Sequence, residues 1–516
     1  MQQARARTGR AGAGRAGRSD RKVSVRQLPW RLVENPFQPI EVYSADQIEA
    51  IHEASLTVLR DQGMRFLTAE TRDIMRKAGC KVDEDHRVYF DPDMVVEQIA
   101  KAPSSFTLHA LNPARSVPIG GRVQNFATVG GPPNVTDVER GKRPGNWADY
   151  VNLLKLAQSL NIVHVHAGYA PEPIDVDVSI RHLKCTEAML TLSDKAIFAF
   201  AHSEDRLHDA YEMIRLAHGL DDAAMQAEPR FYTIINTNSP LQLDPRMAAG
   251  TLATVRRRQT LVVTPFTLAG AMAPVTLPGA LTLQNAEALA VLTLAQIVSP
   301  GCPVVYGGFT SNVDMRSGAP AFGTPEYIKA ALGGGQLARR YKLPYRSSNT
   351  NASNAPDAQS TYEGAMSIWG AVMGGVNLMA HGVGWLEGGL TASYEKYIID
   401  AEMLQTMAAF LMPETVDAET LAVEAIREVG PGGHFFGAQH TLRHYETAFY
   451  SPLLSDWRNF EQWTAAGSKD ATQRAHAIWQ QLLADYEPPP VDEGHAEAMR
   501  DYAARRIREG GAPFRD

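Results

Sequence analysis

The chain has 516 residues, 44% hydrophobic and 21% charged, with 50 basic against 57 acidic side chains and a formal charge of −7. That mild balance sets nucleic acid aside as a partner of the folded body, and the length suits one large domain with attachments or two to three average domains. Three scattered cysteines, Cys80, Cys185 and Cys302, argue against a disulfide framework or a CxxC zinc or redox pair, and no run of 18 apolar residues is free of charge, so no membrane span is expected.

Residues 1–30 open the chain as an Arg/Gly-rich tail, "RARTGRAGAGRAGRSDRK" from Arg5 to Lys22, with Asp20 as its one acid. Such a composition buries too little surface to fold alone and is read as disordered. It lacks the apolar segment of a secretory signal, so a cytoplasmic location is expected. Ser44 with Gln47 three residues later forms a capping box ahead of an amphipathic helix. Residues 31–115 read as a small α+β layer.

From about Val123 a rhythm of short β-rich segments sets in: "VQNFATVGG", "IVHVHAGYA", "AIFAFAHS", "FYTIINTNSP", "TLVVTPFTLAG", "PVVYGGFTS", "LPYRSSNT" and "NLMAHGVG". Helical stretches separate them. "DPRMAAGTLATVRRR" and "TPEYIKAALGGGQLARRY" open with an N-cap followed by proline, and "TLQNAEALAVLTLAQIVS" is apolar nearly all round and should be deeply buried. Eight strands alternating with helices over residues 116–412 predict an α/β fold, a (β/α)8 TIM barrel with an N-terminal α+β layer and a helical C-terminal extension over 413–516. A doubly wound open sheet is the competing architecture, weakened because no GxGxxG follows the first strand.

A barrel works at the C-terminal ends of its strands. Those ends offer His166 and Tyr169, His202, Asn236 and Asn238, "YGGFTSNVDMRSG", Tyr345, Arg346 and Asn349, and finally His381, Trp385 and Glu387. Glycines crowd these ends and permit close approach of a bulky group. Rings facing one cavity suit a quaternary ammonium, whose methyl groups form no hydrogen bonds. Glu387, a carboxylate among glycines at a buried strand end, is read as a site residue. Asp314 and Arg316 are read as a pair or a loop cap, and His434, His440 and His444 as structural or inter-subunit contacts. "HVH" (His164 and His166) has the layout of a metal-dependent barrel hydrolase, although the aspartate such a site wants on strand 8 is missing.

The segments "LAGAMAPVTLPGALTLQNAEALAVLTLAQIVSPGCPVVYGGFTSNVDMRSGAPAFGTPE" and "KLPYRSSNTNASNAPDAQSTYEGAMSIWGAVMGGVNLMAHGVGWLEGGL" strongly resemble the trimethylamine methyltransferase family, as do "VGPGGHFFGAQHTLRHY" and "DWRNFEQWTAAGSKDATQRA". The resemblance covers nearly the whole chain. It implies a barrel that moves a methyl group from a methylated amine to the cobalt of a separate corrinoid protein. The family's archaeal founders carry pyrrolysine at the end of strand 7, near Arg346 to Ser348 here. This chain has only standard residues there, so it resembles the branch without pyrrolysine, which includes glycine betaine:corrinoid methyltransferases. The expected substrate is therefore a quaternary amine. Tyr306, Phe309, Tyr345 and Trp385 are the expected cage, with Phe37 as a lid. Arg346 or His381 is expected to hold a carboxylate, His381 and Glu387 to serve as catalytic residues, and Glu387 to balance the cation. No corrinoid motif such as DxHxxG occurs in the chain, so no resident cofactor is expected, and cobalamin would arrive on a partner protein. The C-terminal extension points to a homodimer. A hydrolase built on "HVH" and a non-catalytic betaine-binding barrel are the competing functions.

Overall fold

In the computed structural model, which describes residues 25–513, eight parallel strands close a barrel. They are β1 (Val123–Thr128), β2 (reduced to bridges at Val165), β3 (Ile197–Phe198), β4 (Phe231–Ile235), β5 (Thr260–Val263), β6 (Val304–Gly307), β7 (Tyr345–Ser348) and β8 (Leu378–Val383). Each pairs with the next, and β8 returns to β1 with Leu378 opposite Asn125 and Met379 opposite Phe126. Single bridges Ala127↔Val165 and Val165↔Ala196 close the ring through β2. All eight predicted segments are barrel strands, in the predicted order. The Arg-rich tail up to residue 24 lies outside the described residues.

Alternation along each strand fills the interior. Ala127, Val165, Phe198, Tyr232, Val262, Val305 and Leu378 form one buried cluster. Leu108, Val117 and Ile119 join them from the hairpin Ser105–Leu108 and Val117–Gly120, whose Gly120 pairs with Val123 at the start of β1. The strand-start end of the barrel is thus packed, and chemistry is left to the other end. This hairpin straddles residue 115, where the sequence suggested a boundary.

The N-terminal layer is built on the helix Ala45–Asp61, and its Ser44/Gln47 capping box is present as read. Ser55 Oγ donates to Thr282 O at 3.1 Å and accepts from Asn285 Nδ2 at 2.9 Å, which ties this helix to the helix Leu277–Val298. The latter is long and apolar enough to cross a membrane by composition, but 83% of its apolar window is buried inside the protein. In the extension, the helix Ala471–Ala484 lies against the helix Tyr394–Phe410, where Trp479 stacks 4.7 Å from Tyr394. The helix Glu493–Arg508 clamps Asp209 through Arg506 at 2.7 Å and Tyr502 at 2.8 Å.

The "HVH" histidines are structural. His164 Nδ1 accepts from the Phe126 amide at 3.0 Å and its Nε2 bonds Arg31 O at 3.0 Å, while His166 Nε2 bonds Ser193 Oγ at 2.7 Å. Neither joins a cluster of three metal-ligating side chains among the described residues. Burial pushes both down to about 3, so both fold neutral. Below pH 6.5 the unfolded chain takes up protons that the folded chain refuses, and stability falls as pH falls towards 3. The unfolding free energy from urea titrations should therefore fall between pH 6 and pH 5, by roughly 1 kcal/mol per pH unit for each such histidine. His166→Gln should flatten that slope, and an unchanged slope would contradict a neutral buried His166.

Candidate functional site

The ends of β7 and β8 bring two buried polar side chains together. Alternation along β7 sends Tyr345 outward, where its hydroxyl donates to Ala331 O at 2.8 Å, and Arg346 inward. On β8 the register with β1 shifts between Met379 and Val383, and His381 sits in this irregularity with φ +57°. A bulge of this kind re-aims a side chain, and histidine tolerates the left-handed region better than most residues. Arg346 Nη2 reaches His381 Nε2 at 3.2 Å.

Burial, then the Arg346 charge, hold His381 well below its ordinary pKa. The imidazole is therefore neutral at pH 7. Because guanidinium only donates, Nε2 is the acceptor and the ring proton is assigned to Nδ1. Among the described residues that Nδ1 has no partner, and neither do Arg346 Nε and Nη1. Arg346 is 3% exposed. Burial pulls it down to about 10, so it stays charged at neutral pH. It makes no ion pair among the described residues. A buried, unpaired guanidinium is costly, and a set of bare donors around it answers to an anion.

Aromatic rings surround this pair. The guanidinium lies 5.2 Å from the Phe309 ring centroid, and the Trp385 ring lies 4.3 Å from His381. Phe309 stacks on Phe322 at 5.6 Å, and both meet Trp385 edge-on at 6.1 Å. Trp385 is fixed from both ends: its indole donates to Asn351 O at 3.1 Å, and Asn351 Nδ2 donates to Trp385 O at 2.6 Å. Gly389, at φ +98°, clears the indole, since a Cβ there would fall 2.5 Å from its edge. Behind the strand ends, Asp400 is paired with Lys396, both wholly buried. Its oxygens accept from Asn349 Nδ2 at 3.1 Å and the Gly384 amide at 2.8 Å, which holds the ends of β7 and β8 in register.

Of the residues expected at the site, Phe309, Arg346, His381 and Trp385 come together. Four others do not. Tyr306 points into the helix layer, where its hydroxyl donates to Asn285 Oδ1 at 3.0 Å. Tyr345 is likewise committed to a helix. Both rings sit on the outward phase of their strands. Phe37 stacks on Phe410 at 5.3 Å, beside Arg122 and Val376, at the end where the strands begin, so it is not a lid over this site. Glu387 is partly exposed and bound by Lys142 at 2.6 Å and Thr391 at 2.6 Å. Burial raises its pKa, but those two hydrogen bonds and the lysine charge win and lower it. Its charge is already balanced and is not held for a ligand. Asp314 caps its own turn through Ser317. Sequence reasoning missed Phe322, whose signal was an aromatic in the loop after β6, and the Lys396–Asp400 pair, which only an i, i+4 spacing in an apolar helix hinted at.

Comparisons with known proteins give the family. The model of the family described as trimethylamine methyltransferase (MTTB) matches residues 7–511. The glycine betaine methyltransferase of Desulfitobacterium hafniense (strain Y51) is 35% identical over 471 residues, covering 91% of this chain and 98% of that protein. The trimethylamine methyltransferase MttB of Desulfitobacterium hafniense (strain DSM 10664 / DCB-2) is 29% identical over 473 residues, covering 91% and 94%. The crystal structure of the Methanosarcina barkeri monomethylamine methyltransferase (MtmB) superposes with a TM-score of 0.49 at 10% identity, over 92% of this chain and 89% of that one. With a family match that spans almost its whole length and a relative more than 30% identical end to end, this chain belongs to the trimethylamine methyltransferase family.

Proposed function

We propose that this chain, a methyltransferase by family, takes a methyl group from a carboxylated quaternary amine, glycine betaine first among them, and passes it to the cobalt(I) of a separate corrinoid protein. The observation that carries the substrate class is Arg346. A buried cation with bare N–H groups repels an amine that carries only positive charge, such as protonated trimethylamine or choline. A zwitterion resolves the conflict: its carboxylate meets Arg346 Nε and Nη1 and His381 Nδ1, and its onium head turns to Phe309 and Trp385. The 35% identical glycine betaine methyltransferase supports the same reading.

The corrinoid supplies the nucleophile for the methyl carbon. The C–N bond breaks with its electron pair left on nitrogen, so a neutral tertiary amine leaves and no proton is required. A neutral His381 fits that demand: it anchors and does not act as a general acid. The chain's own work is to orient the substrate and aim one methyl outward.

Free cob(I)alamin with a panel of methylated amines provides the direct test. Methylcobalamin absorbance should rise with glycine betaine and stay near background with trimethylamine; equal rates with choline would sink the anchoring role of Arg346. Arg346→Gln should raise KM for glycine betaine about ten- to hundredfold, the loss expected for one to two charge-assisted hydrogen bonds, and should shrink the preference over choline. Glu387→Gln should leave KM within about twofold, because Lys142 already neutralises that carboxylate. A tenfold rise there would return Glu387 to the site.

A further inference from the structure

Two clusters among the described residues bring three metal-ligating side chains together. In Glu49, His52 and Glu53 the contacts run to groups outside the cluster: Arg340 holds Glu49 at 2.6 Å, and His52 Nδ1 meets the Tyr341 hydroxyl at 2.8 Å. In Glu419, His440 and His444 the contacts run chiefly within it. This second cluster lies in residues 413–452, which bury only Ala425 and Ala438. The helices of that segment, Ala418–Leu421, Val423–Val429 and Gln439–His444, are too short to stand alone. Its sequence holds no cysteine. A segment this small with so little core takes its order from a cross-link of another kind or from a partner.

The geometry of the cluster supplies one. An Asp417/Thr420 capping box sets the helix Ala418–Leu421 and places Glu419 on it. His440 and His444 stand four residues apart on the helix Gln439–His444, so one face carries both imidazoles, with ring centroids 4.6 Å apart. That face meets Glu419: His440 Nε2 donates to its carbonyl oxygen at 3.1 Å, and His444 Nε2 to its Oε1 at 2.9 Å. One ligand atom from each of the three lies within 4.8 Å of the others. Small side-chain rotations close that spread to the roughly 3.4 Å between ligands of a tetrahedral zinc ion. Arg443 also reaches Oε1, at 2.8 Å, while no hydrogen bond reaches Oε2 among the described residues. The hydrogen bonds from His444 and Arg443 hold the Glu419 carboxyl down at about 2, so it is ionised. Two imidazole nitrogens and a carboxylate oxygen are a zinc ligand set with one position open, and they disfavour magnesium, which prefers oxygen throughout.

We propose that Glu419, His440 and His444 bind one zinc ion, which staples the helix Gln439–His444 to the helix Ala418–Leu421. The ion takes the lone pairs of the two Nε2 atoms, each ring keeping its proton on Nδ1, and that of Glu419 Oε2, while Arg443 keeps Oε1. The site stands apart from the methyl-transfer reading and does not depend on it. The full chain, stripped by a chelator and titrated with zinc in a calorimeter, should bind one more ion than the double variant His440→Gln, His444→Gln, and excess magnesium should not displace it. Equal zinc stoichiometry in the two proteins would overturn the proposal. Cobalt(II) added to the unaltered chain gives a reading that needs no variant: the intense visible bands of a tetrahedral site are expected, and the weak spectrum of the hydrated ion alone would contradict it. Limited proteolysis tests the staple itself. Only the closed segment binds, so at zinc about a hundredfold above its Kd, cleavage within residues 413–452 should slow about hundredfold. Cleavage as fast with zinc as without it would rule the staple out.

Discussion

A guanidinium buried without an anion is the constraint from which the rest of this site follows. Arg346 is placed inward by strand alternation, kept charged although burial pulls it down to about 10, and left with two unpartnered nitrogens. In a low-dielectric interior such a group is tolerated only where something else completes it. The neighbouring imidazole cannot, because the same burial and the same charge keep it neutral. What it adds is a third donor. The centre therefore selects for negative charge, while the rings around it suit a diffuse cation. A ligand bearing both charges close together satisfies both halves.

The scaffold is arranged to hold this arrangement still. The irregularity in β8 turns His381 towards Arg346, and reciprocal hydrogen bonds between Asn351 and Trp385 fix the indole. The Lys396–Asp400 pair sets the two strand ends from behind. The first two seat His381 and Trp385, which face the proposed ligand, and the third stands behind them. They hold the two strand ends in one fixed constellation, which is what a reaction dominated by positioning requires.

The barrel was legible in the sequence because strand count and helix caps are local signals. Ser44/Gln47, Asp244–Pro245 and Thr324–Pro325 each declare a helix start with four or five residues, and each cap is made as read. The inner half of the site was legible for the same reason: Arg346, His381, Phe309 and Trp385 all stand at strand ends. Which ring faces inward was not. Tyr306 and Tyr345 differ from Arg346 only by strand phase, and a slip of one residue reverses the face. Lys142, which occupies Glu387, lies 245 positions away in sequence, and no local pattern announces such a pairing. Phe37 lies at the end where the strands begin, and nothing in "ENPFQP" says which end of the barrel that segment covers.

A crystal structure with glycine betaine bound tests the central claim most directly. The account predicts its carboxylate within hydrogen-bonding distance of Arg346 Nε and Nη1, its trimethylammonium head against Phe309 and Trp385, and one methyl directed out of the barrel. A carboxylate bound away from Arg346, or a trimethylammonium head turned from those rings, would contradict it.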